Sequence, residues 1–309
     1  GFLEALGCVV ILSDETNRKI AQDGIDLTVA EPCYPIRIAH GHVKDLLDKG
    51  LDWILLPNAM NAEATPDAIE SQMCPWAQTL PYVVKSVPRL AEVRERILAP
   101  TVHFRLGEEH VAHDLLPLGR TLGAGSRQTH RAVVRAFAAQ RDFQTAVDAL
   151  GRQALCALED GRQPGIVLVG RAYNIHDRAI NLDIPGKLRD SYGINVLPLD
   201  CLPLAAMDIR DVNDNMYWHS GRRILAAGKF AADHPNLHLI HITNFKCGPD
   251  SYIKHFLGSA CGKPFLSLQF DGHSNDAGFL TRCEAYLDSK GMLRWWHQAL
   301  EPEGSTCLV

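Results

Sequence analysis

Nine cysteines are spread along a chain of 309 residues, and four of them share one local context. Cys33-Tyr34-Pro35, Cys74-Pro75, Cys201-Leu202-Pro203 and Cys247-Gly248-Pro249 each place a proline one or two residues after the sulfur. At an average proline usage of roughly 5%, about one cysteine in nine would have such a neighbour by chance. Proline suits the first turn of a helix, where its missing N–H costs no hydrogen bond, so the spacing predicts these cysteines at or just before helix N-termini. There the free backbone N–H groups and the positive end of the helix dipole favour thiolate, the form that binds metal or attacks an electrophile. No pair has Cys-x-x-Cys spacing, which excludes a zinc ribbon. Spacing alone leaves a metal site and packing cysteines both open. The other five read as small apolar side chains: Cys8 opening a strand, Cys156 and Cys283 inside helices, Cys261 near a helix end and Cys307 in the tail.

The elements that must position these sulfurs alternate strand and helix. Cys8 to Ser13 reads as a short apolar strand, followed by a helix opening after Asp14. Leu27 to Ala30 reads as a second strand, Pro35 to Lys49 as a helix stopped by Gly50, and Asp52 to Pro57 as a third strand. A long helical stretch, read as two helices, runs from Arg127 to about Leu158, with Phe143, Val147, Leu150, Ala154 and Leu158 at helical spacing. After Gln163-Pro164-Gly165 the alternation resumes, with strands at 166–169, 194–197, 237–242 and 265–268 and a helix after each. Uninterrupted apolar strands joined by helices predict parallel sheets covered on both faces. We read an α/β chain of two Rossmann-like lobes flanking a central cleft: an N-terminal lobe over 1–125, a helical connection over 126–160 and a C-terminal lobe over 161–309. In open α/β sheets ligands bind beyond the carboxyl ends of strands, so cysteines distant in sequence would converge in that cleft.

Composition narrows the chemistry. Lys plus Arg number 31 against 36 for Asp plus Glu, a net charge of −5, which supplies no basic field for a phosphate backbone and argues against nucleic acid as a partner. Neither a secretory leader nor an apolar stretch long enough to cross a bilayer is legible, so no membrane partner is expected and we read a cytoplasmic, reducing compartment. An odd cysteine count agrees, since nine thiols cannot all pair within one chain. The start without Met leads us to expect a preceding segment in the native protein. There is no Gly-x-x-x-x-Gly-Lys-[Ser/Thr] loop, and the glycines between Gly119 and Gly125 follow no strand, so no nucleotide site is expected in this chain.

Several blocks then carry a resemblance. Glu31-Pro32-Cys33-Tyr34-Pro35, His40-Gly41-His42-Val43, Asp52 to Asn58, Met73-Cys74-Pro75-Trp76, Gly170-Arg171-Ala172-Tyr173-Asn174, Asn244 to Ser251, Asp271 to Gly278 and Thr281 to Asp288 occur in this order. Together they resemble the uncharacterised domain of CoA-enzyme activases, over nearly the whole chain. The pattern departs at Ala172, where that family usually has proline.

That family is related to the cluster-bearing subunits of 2-hydroxyacyl-CoA dehydratases and to double-cubane-cluster reductases, in which Rossmann-like lobes surround an iron-sulfur cluster held by three cysteines. The resemblance implies a 4Fe-4S cluster, or a double-cubane one, on Cys33, Cys74 and Cys247, with Cys201 a weaker fourth candidate. It implies an anaerobic electron-transfer or reductase component, reduced by an ATP-hydrolysing iron-sulfur activator supplied in trans or by the same longer polypeptide. Three thiolates would leave one iron with an exchangeable position. His40, His42, Arg171 and Tyr173 are candidate donors to cluster sulfur or substrate; taken singly, each reads first as a surface or lobe-packing residue. Two other readings stay open: a dehydratase subunit acting directly on a 2-hydroxyacyl-CoA ester, and a non-redox ligand-binding or scaffold domain whose cysteines pack or hold zinc. Catalytic residues, the small-molecule substrate and self-association into a homo-oligomer are not specified by the sequence.

Overall fold

A computed structural model of the chain describes residues 1–63, 69–272 and 275–293. Cys307, with part of the Asp271–Gly278 block, lies outside them.

The first half begins with α1 (Phe2–Ala5), α2 (Arg18–Leu27) and α3 (Tyr34–Asp48), followed by β1 (Ile54–Leu55), β2 (Asn58–Asn61) and α4 (Pro75–Lys85). β3 (Ile97–Leu98) and β4 (Thr101–His103) pair in parallel with β1 and β2 respectively, and α5 (Glu108–Asp114) and α6 (Leu116–Thr121) complete this region. The helix α7 (Ser126–Asp160) then runs unbroken for 35 residues. The second half contains β5 (Gly165–Gly170), α8 (Ala172–His176), α9 (Ile184–Tyr192), β6 (Asn195–Pro198) and α10 (His219–Asp233). It ends with β7 (Leu237–Asn244), α11 (Gly248–Cys261), β8 (Leu266–Phe270) and α12 (Asp276–Ser289). These four strands form one parallel sheet in the order β6-β5-β7-β8. Among the described residues no helix is long and apolar enough to cross a membrane.

The α/β class and the parallel sheets are those expected, and the helix from Tyr34 ends where Gly50 takes a positive φ of 70°. Three local expectations fail. Cys8–Ser13 is extended chain without strand pairing, and Val9 and Leu12 are 88% and 78% exposed. A strand needs a neighbour to take its N–H and C=O groups, and an apolar run does not supply one. Leu27–Ala30 is no strand either: Leu27 closes α2, whose Asn17 caps it by accepting the Ile20 N–H at 3.1 Å. The stretch read as two helices is one, because no proline interrupts it. Its expected apolar stripe is covered unevenly: Leu158 is buried, Val147 and Ala154 are half-buried, and Phe143 and Leu150 face solvent.

The core divides accordingly. The largest apolar cluster surrounds the four-stranded sheet, with Val167, Leu168, Ile240 and Leu268 fully buried. Two smaller clusters lie in the first half, one around Val43, Ile54, Val84 and Ile97 and one around Val102, Val111, Leu118 and Val133. A fourth crosses between the halves and joins Ile20 and Ile38 to Ile180, with Tyr34 and Tyr173 against them.

α2 and α3 are packed backbone to backbone. A Cβ on Gly41 would stand 1.9 Å from the Ile20 carbonyl oxygen, and one on Gly24 would stand 2.2 Å from that of Arg37. This accounts for Gly41 in the His-Gly-His block: it lets α3, which begins beside Cys33, lie tightly on α2. Gly41→Ala is therefore expected to destabilise the protein by about 3 kcal/mol, the upper end of the overpacking range, because the clash is with backbone. Equilibrium urea unfolding measures it.

His241 on β7 is fully buried, its Nε2 has no hydrogen-bond partner, and burial holds its pKa down to about 4. His219 and His238 are held near the same value, also chiefly by burial. The native protein keeps these imidazoles neutral while the unfolded chain binds protons below about pH 6.5. Stability is thus present above that pH and lost as pH falls toward 4. Between pH 7 and pH 5, His241 alone accounts for about 2 kcal/mol of that loss. His241→Gln should flatten the pH dependence of urea unfolding by that amount.

Candidate metal centre

Cys33, Cys74 and Cys247 occupy the N-cap positions of α3, α4 and α11, each with extended φ/ψ and with proline in the first turn that follows. The main-chain carbonyl of each accepts a first helical bond, from Ile36, Gln78 and Ser251 at 3.1, 3.0 and 3.1 Å. The Cys74 Sγ also accepts the Ala77 N–H at 3.4 Å. All three residues are buried, with exposures of 5%, 8% and 7%.

Tertiary contacts gather them. β5 and β7 are the adjacent central strands of the second-half sheet, and the chain leaves β5 for β6 on one side and returns to β7 on the other. This is a topological switch point, where a crevice opens beyond the carboxyl ends of strands. Arg171 follows β5 and Cys247 follows β7 at that edge. Cys74 is brought there because the segment before it is stitched to the second half: Gln72 N–H donates to Tyr217 O at 2.9 Å, and His219 N–H donates to Gln72 O at 3.0 Å. Cys33 is drawn in by the cluster of Ile20, Ile38 and Ile180 and by an ion pair between Glu31 and Lys246. The thiols lie within electrostatic reach of one another and of Arg171: Cys74 acts on Cys33, Cys33 on Cys247, Arg171 on Cys33 and Cys247, and Cys74 and Cys247 on Arg171.

Burial overrides the helix termini at two of these sulfurs. It pushes the Cys33 thiol up to about 11 and the Cys247 thiol to about 12, against the opposing pull of the Ile36 and Asp250 N–H groups and of Arg171. Without an added cation these thiols are neutral at pH 7, contrary to what a helix N-terminus alone leads one to expect.

Arg171 is the charged centre of the site. Its Nε donates to Asp250 Oδ1 at 2.9 Å, with the two side chains 6% and 0% exposed, and Asp250 Oδ2 accepts from Thr243 Oγ1 at 2.8 Å. Its Nη2 is buried without a partner. Burial opposes this charge, but Asp250, Tyr173 and the thiols of Cys247 and Cys74 more than offset that cost. A buried guanidinium N–H near sulfur suits an acceptor such as thiolate or sulfide. Tyr173, half-buried, packs against the Ile20–Ile38–Ile180 cluster, and burial first of all raises its phenol pKa well above the usual value. Three thiols and a guanidinium N–H are donors of the kind that an iron-sulfur cluster takes.

The other candidates fall outside this group. Cys201 lies in a short 3-10 turn against α7, where a Cβ on Gly151 would stand 1.9 Å from its carbonyl oxygen; burial and the nearby Asp200 and Asp148 raise its thiol pKa. His42 bonds Ser13 Oγ at 2.9 Å and Thr16 Oγ1 at 3.0 Å, and Thr16 in turn donates to Asp177, so His42 ties the extended chain after α1 to the second half. His40 is fully buried, with Nδ1 on Ile36 O at 2.7 Å and Nε2 unpartnered. Of the cysteines read as packing residues, Cys261 and Cys283 are buried, Cys156 is exposed on α7, and Cys8 is half-buried in unpaired chain. Asp250 escaped sequence reading, although its place three residues after Cys247, in the first turn of a helix, was the available signal.

A cavity of about 890 Å3 also lies between the halves. Phe104, Leu118 and Phe137 of the first half and Leu202, Leu204 and Met207 of the second line it, with His219, Arg222 and Arg223. At Ser71 its lining comes within three residues of Cys74 along the chain.

Residues 1–202 match the family model described as the CoA enzyme activase uncharacterised domain. The match includes Cys33, Cys74 and Arg171 and ends before Cys247. No curated protein and no solved structure matches the chain.

Proposed function

The chain belongs to the CoA enzyme activase uncharacterised domain family, and from that premise we propose that it is the cluster-binding electron-transfer or reductase component of a low-potential system driven by an ATP-dependent activator. The observation that carries this reading is the convergence of three buried N-cap thiols on Arg171, whose Nη2 lacks a partner. A 4Fe-4S cluster, when bound, would supply one-electron transfer at low potential. Cys33, Cys74 and Cys247 would hold it, each giving up its thiol proton on loading. Arg171, fixed through Asp250, would donate Nη2–H to sulfur, and Tyr173 and the apolar side chains around it would keep water from the site.

Anaerobic purification or reconstitution followed by iron and acid-labile sulfide analysis tests the assignment. About four of each per chain are expected for a single cubane, and protein without iron after reconstitution would defeat it.

The cavity favours a second reading, direct action on a 2-hydroxyacyl-CoA. Its apolar walls suit an acyl chain, and Arg222 suits phosphate or carboxylate charge, while Arg223 is paired with Asp200 at 2.7 Å. Binding of CoA to the cluster-loaded protein, weakened by Arg222→Ala, would support this reading. Absence of CoA binding would leave electron transfer as the role.

A further inference from the structure

We propose that His103, His110 and Asp114 form a separate binding site for a divalent transition-metal ion of the zinc type. His103 ends β4; the chain then makes a 3-10 turn over Phe104–Leu106 and enters α5, where His110 and Asp114 stand one turn apart on one face. One ligand atom from each of the three lies within 4.8 Å of the others. His103 Nδ1 is 3.0 Å from Asp114 Oδ2, and His110 Nε2 is 3.6 Å from Asp114 Oδ1. The carboxylate is already oriented, because Oδ2 also accepts the His103 backbone N–H at 3.0 Å.

The donor set selects the ion. Two imidazoles and one carboxylate suit Zn2+ and its neighbours in the first transition row. Calcium and magnesium ask for oxygen throughout, and soft ions for thiolate. The side chains are 34%, 43% and 12% exposed, so water can complete the coordination and the ion can exchange with solvent. Neighbouring charges have partners of their own: Arg105 is turned to Glu70 and the Ile69 carbonyl, Glu108 to Arg141, and Glu109 to His130. His113 is a third imidazole nearby, with its ring centre 6.3 Å from that of His110. A bound ion would cross-link the end of β4 to α5, next to the apolar cluster of Val102, Val111 and Leu118.

Co2+ titration of the full chain under anaerobic conditions tests this and keeps the two sites apart, since only thiolate ligands give sulfur-to-cobalt charge-transfer absorption. One equivalent should bind with d–d bands lacking that charge transfer. His110→Ala, a change at an exposed helix position, and the isosteric Asp114→Asn should each weaken it at least about 10-fold, while Cys74→Ser should leave it intact. Cobalt bound only with sulfur charge transfer, or an affinity unchanged in His110→Ala with the circular dichroism preserved, would overturn the proposal. So would failure to bind cobalt at millimolar concentration.

Discussion

Cys33→Ala, Cys74→Ala and Cys247→Ala are each expected to lower the iron and sulfide of anaerobically reconstituted protein from about four per chain to below about one. The effect is large because each thiol stands alone on its own helix N-cap, and the one other cysteine on these helices, Cys261, lies at the opposite end of α11. Cys156→Ala is the control, since that side chain is exposed on α7. Cys201→Ala should also retain the iron, because Cys201 sits against α7 beside Asp148 and Asp200. If Cys201→Ala loses iron as the other three do, four protein ligands close the site, and a role for substrate at iron becomes untenable. The changes themselves should cost little fold stability beyond the loss of small buried side chains, so circular dichroism of the iron-free variants distinguishes a missing ligand from a missing fold.

The second large effect falls on the buried pair. Asp250→Asn leaves Arg171 with a buried charge and a weaker acceptor, and is expected to destabilise the protein by about 3–5 kcal/mol, read by urea unfolding. The paired replacement Arg171→Met with Asp250→Leu should recover much of that loss, since two apolar side chains replace two desolvated charges. Iron retention should not recover with it, because the Nη2 donor is gone. The double variant therefore separates the ion pair with Asp250 from the proposed donation by Arg171 to cluster sulfur. A loss below about 1 kcal/mol in Asp250→Asn would show that the pair is solvated and not a buried anchor.

The legibility of the site in the sequence was uneven. Proline after cysteine located Cys33, Cys74 and Cys247 at helix starts, because that preference is steric and local. Cys201 has the same signal and sits instead in a 3-10 turn, since nothing local distinguishes a proline that opens a helix from one that follows a short turn. The ionisation of the thiols was misjudged for a related reason: the helix terminus is visible in the sequence, but the desolvation that outweighs it at Cys33 and Cys247 depends on which distant side chains cover them. His42, one of the four candidate donors, is occupied by Ser13 and Thr16, which come from a segment read as a strand and a helix start.

By itself the sequence determined the α/β class, the family, the helix starts at three cysteines and the strand-helix alternation of the second half. All of these rest on periodicity, on steric preferences of neighbouring residues or on ordered blocks of residues. Only the tertiary structure decided that Cys8–Ser13 goes without strand pairing, that Gln72 is stitched to Tyr217 and His219 so that Cys74 reaches the β5–β7 edge, and that Asp250 pairs with a buried Arg171. Strand pairing, burial and charge pairing are properties of partners far apart in the chain, and no local pattern names the partner.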